Sequence, residues 1–283
     1  MATMTIPYNP THENLVDLKP NIVYASPDGE ALALQLLKPQ WHSGGQGFPL
    51  VIFIQGSAWQ KPDQFWELPQ LSLLARQGFV VASVTHRSCW DAPAPAFLRD
   101  VKTALRYLRA HASEYDIDKS RVCAWGTSSG GNTALLLGLT GDDPAYETDD
   151  WAGESTAVQA VVDCFGPTDL VDVWQRQPEA IRYDDRNLIY ALGGKDKASC
   201  PEVLEAISPL RLVTQGRKLP PFLILHGDAD DVVAYEQSEA LYQRLTDCGY
   251  AADLVRVTNA PHEGSFWSMP LLEIIFQFIR ERV

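Results

Sequence analysis

No run of about twenty consecutive apolar residues occurs in this sequence, which excludes a membrane-spanning helix. Cysteine is scarce: five residues, at positions 89, 123, 164, 200 and 248, with no C-x-x-C pair. An odd number at such wide spacing argues against a disulfide framework or a zinc site. It points to reduced, buried thiols in a cytoplasmic protein. Basic residues are outnumbered, 23 Lys and Arg against 36 Asp and Glu, for a net charge of −13. A phosphate-binding surface needs a basic patch, so no nucleic-acid partner is expected and a neutral small molecule fits better. The opening Met1–Pro7 carries no basic stretch leading into an apolar core, so no secretory leader is expected there. Neither H-x-E-x-x-H spacing, a G-x-G-x-x-G turn nor a P-loop is present, and neither metal nor cofactor is expected.

What the chain does have is alternation. Its 283 residues, 46% hydrophobic and 21% charged, suit a single α/β domain over 1–283 with a substantial core. Asn21–Ala25 and Ala31–Leu37, split by Pro27-Asp28-Gly29, read as an opening hairpin. Strands are expected at Leu50–Ile54, Phe79–Thr85, Arg121–Trp125, Ala157–Asp163, Pro221–Leu225 and Asp253–Val257. Helices are expected at about 96–112, 233–248 and 269–281. This is the pattern of a mostly parallel sheet of about eight strands flanked by helices. The irregular segment 166–209, lying between two core strands, reads as a small cap-like insertion.

The densest chemical signal is Gly126-Thr127-Ser128-Ser129-Gly130, directly after an apolar run and before a small-residue helix. G-x-S-x-G in that setting is a strand, a sharp turn and a helix, with Ser128 at the apex as candidate nucleophile. Ser129 lacks the glycine two residues before it, so it becomes a candidate amide donor instead. A serine hydroxyl needs a base to take its proton and a third group to orient that base. Downstream, the apolar run Leu223–Leu225 ends in His226-Gly227 and opens into an acidic turn with Asp228, Asp230 and Asp231. Asp230, three residues past the glycine, is the expected acid, with Asp228 second. Asp228 reads as a turn former and Asp231 as part of a helix N-cap region. His262 is the one histidine after that turn and is the expected base. His226 precedes the acid and reads as part of the strand end.

A tetrahedral intermediate also needs backbone N–H donors. Ser129 should supply one, and Gln55-Gly56-Ser57-Ala58-Trp59, after the Leu50–Ile54 strand, should supply the others from Ser57 and Ala58. Aromatic residues cluster near these loops, and Trp59, Trp66 and Trp267 are the candidate substrate-contacting rings.

These motifs, with Asp100–Ala112, Phe165-Gly166-Pro167-Thr168-Asp169 and Ile207-Ser208-Pro209, resemble the α/β-hydrolase superfamily. The chain is most similar to the esterase/lipase-like branch that includes bifunctional feruloyl and acetyl-xylan esterases. The resemblance runs from about Val51 to the C-terminus. It implies the α/β-hydrolase fold, a Ser128–Asp230–His262 triad and hydrolysis of short-acyl or hydroxycinnamoyl esters of carbohydrates. Its oxyanion loop departs from H-G-G-G-W by Gln55, Ser57 and Ala58. Two other readings fit the same residues: an amide-cleaving hydrolase, such as an arylformamidase or small peptidase, and a non-catalytic ligand-binding protein on the same scaffold.

Overall fold

The computed structural model describes residues 3–283, so Met1 and Ala2 of the opening stretch lie outside the described residues. Its strands are β1 (Val16–Ala25), β2 (Leu32–Pro39), β3 (Phe48–Ile54), β4 (Val80–Val84), β5 (Ile117–Thr127), β6 (Ala160–Cys164), β7 (Phe222–Gly227) and β8 (Ala252–Val257). They form one sheet in the order β1-β2-β4-β3-β5-β6-β7-β8. β1 pairs antiparallel with β2, and β2 with β4; every other neighbouring pair is parallel.

Parallel strands are covered on both faces, so their residues are apolar without alternation. In β3, Leu50, Ile52 and Ile54 enter one core while Val51 and Phe53 enter the other. The first core is closed by the Ala96–Ala110 and Ser129–Thr140 helices, and the second by Leu68–Ala75 and Met269–Arg282. Each fully buried Leu, Ile or Phe contributes about 1.5–3 kcal/mol.

Two boundaries differ from the sequence expectation for identifiable reasons. β1 begins at Val16, ahead of Asn21, because an edge strand tolerates Pro20 at a bulge. Asn21 takes a left-handed φ of 55° there, and its amide and side chain bond the buried Gln35 side chain, both at 3.0 Å. The helix expected from Val233 begins at Glu236, because the Val232 and Val233 amides are already bonded to Asp230.

Short helices at Leu170–Gln175, Glu179–Arg182, Leu188–Leu192, Cys200–Ala206 and Pro209–Leu212 fill the connection from β6 to β7. Ser128, Asp230 and His262 follow β5, β7 and β8 at the carboxyl end of the sheet, where open α/β sheets present ligand sites.

Candidate active site

Ser128 sits on a bend that its neighbours force. It has φ 52° and ψ −123°, and its amide donates to the Cys164 carbonyl at 2.9 Å. A Cβ on Gly126 would lie 2.0 Å from the Gly130 carbonyl oxygen, and one on Gly130 would lie 2.0 Å from that of Ile54. Glycine is therefore required at both positions by backbone contact. The bend lifts the Ser128 hydroxyl clear of β5 and toward His262.

His262 Nε2 lies 2.9 Å from Ser128 Oγ, and its Nδ1 lies 2.7 Å from Asp230 Oδ2. Nδ1 faces a carboxylate and so carries the ring proton, which leaves the Nε2 lone pair for the serine hydroxyl. The imidazole rests on Phe165, with ring centroids 4.7 Å apart. The Asp230 side chain is fully buried and saturated with donors. Val232 and Val233 amides reach Oδ1, both at 2.8 Å, while Oδ2 takes His262 and also His226 Nε2 at 3.1 Å. Burial alone would raise its pKa; the hydrogen bonds from His226, His262 and the two amides outweigh burial and hold it well below the usual carboxylate range. The other two carboxylates of the turn are elsewhere. Asp228 is bonded to Arg256 at 2.8 Å and to the Asn259 amide, and Asp231 is exposed.

The donor loop departs from expectation at one residue. Ser57 N–H donates to Ser129 Oγ at 2.9 Å and so is not free for a ligand. The Gly56 amide is likewise bound to Thr127 Oγ1 at 2.8 Å. Among the described residues the Ala58 and Ser129 amides have no protein partner. Ala58 and Trp59 both adopt left-handed φ, 52° and 53°, turning the loop sharply beside Ser128.

Ser128, Ser129, Ala58 and Trp59 border a cavity of about 870 Å³. Leu170, Val173, Leu188, Ile189 and Leu210 from the β6–β7 connection wall it, with Val232 and Val233. Its charged residues are partly neutralised in pairs, Asp172 with Arg176 at 2.7 Å and Asp169 with Arg211 at 2.8 Å. Of the three tryptophans expected at the substrate, Trp59 alone lines this cavity. It is 4% exposed, with its indole nitrogen 3.4 Å from Asn132 Oδ1. Trp66 and Trp267 border a separate cavity of about 330 Å³ with Glu67 and Glu263. The Gly264–Phe266 turn sets Phe266 against Phe165, and Trp267 packs edge-on against both rings.

His226, which reads from the sequence only as part of a strand end, touches Asp230. Its ring is fully buried, and besides Asp230 it contacts the Val233 carbonyl at 2.9 Å and Ser238 Oγ at 2.7 Å.

Residues 34–245 match the family model described as BD-FAE. The chain belongs to the BD-FAE family. Ser128 and Asp230 fall inside the matched span and His262 beyond it. Esterase LipC of Mycobacterium tuberculosis is 35% identical over 70% of this chain and 48% of its own length. Esterase LipQ of the same organism is 28% identical over 92% of this chain and 56% of its own length. The chain thus spans about half the length of these curated relatives. Among solved structures, a truncated carbohydrate esterase from gut microbiota superposes with a TM-score of 0.82 at 29% identity, covering 97% of this chain and 98% of that one. Esterase 2 of Thermogutta terrifontis with butyrate bound shares the fold, with a TM-score of 0.77 at 24% identity over 94% of each chain. The fold is that of the α/β-hydrolases. Among the described residues no helix is long and apolar enough to cross a membrane.

Proposed function

We propose that this chain is a serine carboxylic-ester hydrolase acting on small-molecule esters through an acyl-enzyme. The observation that carries the reading is the unbroken line of contacts from Ser128 Oγ through His262 to Asp230. Ser128 attacks the ester carbonyl as His262 Nε2 takes its proton. Asp230 holds the ring in the Nδ1–H tautomer and stabilises the imidazolium. The Ala58 and Ser129 amides donate to the oxyanion. Collapse expels the alcohol, which leaves with the proton from His262. Water then attacks the acyl-enzyme with His262 again as base, releasing the acid and restoring the Ser128 hydroxyl.

The apolar wall from Leu170 to Leu210 makes the cavity an acyl site, and its 870 Å³ has room for a hydroxycinnamoyl group as well as a short chain. The 166–209 segment then acts as a cap over Ser128 within a single 1–283 domain. Likeness to a protein named a carbohydrate esterase supports a sugar as the alcohol half. Trp59 is the one expected tryptophan on the acyl side. A panel of acetyl, butyryl and feruloyl esters, acetyl-xylan, an arylformamide and a peptide, run beside Ser128→Ala, tests the assignment. Turnover of the amides ahead of all the esters would overturn it.

A further inference from the structure

Asp230 Oδ2 receives two imidazoles, and the proposed reaction uses only one of them. We infer that His226 is a positioning residue for hydrolysis, holding Asp230 in the orientation that serves His262. The inference rests on the proposed role of the Ser128–His262–Asp230 chain.

The hydrogen-bond logic fixes what the ring does. His226 Nε2 faces two acceptors, Asp230 Oδ2 at 3.1 Å and the Val233 carbonyl at 2.9 Å, so it carries a hydrogen shared between them. Nδ1 meets the Ser238 hydroxyl at 2.7 Å. With Nε2 protonated, the neutral ring accepts there from Ser238, and both partners are satisfied without burying a new charge. The imidazole therefore ties the end of β7 to the acid turn and to the Glu236–Asp247 helix in one step. The groups facing it are Asp230 from the turn, Ser238 and the Tyr235 ring from the helix region, and Phe165 and Asp163 from the end of β6.

Asp230 consequently has no free rotation. Val232 and Val233 amides clamp Oδ1, and the two rings hold Oδ2 from different directions. Removing the His226 donor has two effects with opposite signs on different observables. The carboxylate loses a restraint, so the base is misaligned and kcat falls. Its charge is also shared with one donor fewer, so it favours the His262 imidazolium more strongly, and the acid limb of the kcat/KM profile moves to higher pH. A ring that merely filled space would produce neither the pH movement nor a rescue by a like-placed donor.

The test compares His226→Leu, which removes the donor, with His226→Gln, whose amide nitrogen reaches the place of Nε2. Two readouts are used: ester turnover, and the rate at which a fluorophosphonate labels Ser128. For His226→Leu, kcat and labelling should fall about 10- to 100-fold, the loss of one charge-assisted hydrogen bond. KM should stay within about twofold, since no substrate contact is lost. His226→Gln should recover most of the rate and the wild-type acid limb. If the Leu variant does not fold, Ser238→Ala carries the test: it keeps the ring but removes its tie to the helix, and labelling should slow several-fold. Wild-type labelling by a folded His226→Leu or by Ser238→Ala overturns the inference, as does equal loss in the Leu and Gln variants with an unmoved pH profile. If the wild type labels at Ser128 yet hydrolyses no ester, the substrate reading fails instead, and the labelling rates still judge His226.

Discussion

The Ser57 amide and the Ser129 hydroxyl are joined at 2.9 Å, tying the loop after β3 to the first residue of the Ser129–Thr140 helix. The bond removes Ser57 as an anion donor, but it sets the spacing between the two amides that remain free, those of Ala58 and Ser129. Ser129→Ala keeps its own amide and loses the tie. Turnover should fall about 3- to 30-fold, as for one lost hydrogen bond, with KM little changed. Steady-state kinetics on p-nitrophenyl acetate checks this; an unchanged kcat would mean that the tie does not shape the anion site.

Asp163 lies fully buried beneath the site. Its Oδ1 accepts the Gly166 amide at 3.0 Å, and its Oδ2 has no partner. Burial pushes its pKa up to about 7, against the opposing pull of the Gly166 amide. A carboxyl raised above its unfolded value binds a proton on folding, so its burial is cheapest at low pH. Its cost grows as pH rises from about 4 toward 7. Asp163→Asn removes that cost. Its stability relative to wild type should therefore improve by about 2–3 kcal/mol between pH 5 and pH 8, read from urea unfolding at each pH. A pH-independent difference would show that the buried carboxyl does not titrate in this range.

Much of the architecture could be read from apolar runs such as Leu50–Ile54, because strands covered on both faces leave no alternation to misread. Ser128 was legible for a related reason: the two backbone contacts at Gly126 and Gly130 leave a mark in sequence. His226, Ser57, Trp66 and Trp267 were not legible, and the causes differ. His226 gains its role from Ser238 and from the folded-back turn, neither of which a strand-end motif encodes. The Ser57 amide meets a hydroxyl 72 positions away. For the two tryptophans, nearness in sequence to Gln55 and His262 gave no information about which of the two cavities they would border.

Val173 lines the cavity beside Ser128 from the Leu170–Gln175 helix and is half-buried, so a larger side chain there projects into open volume. Val173→Phe should lower kcat/KM for a feruloyl ester about 10-fold or more, in line with the 1–3 kcal/mol that a pocket contact carries, while acetyl ester turnover holds. The ratio of the two substrates checks it. Equal losses on both would place the acyl group elsewhere.

In the proposed mechanism Ser128 is made nucleophilic by His262 and Asp230. Fluorophosphonate treatment followed by peptide mass spectrometry tests it most directly. One adduct should form, on Ser128, and its rate should fall by at least about 10³-fold in His262→Ala and substantially in Asp230→Asn. An adduct on another residue, or wild-type labelling of Ser128 in the His262 variant, would rule that mechanism out.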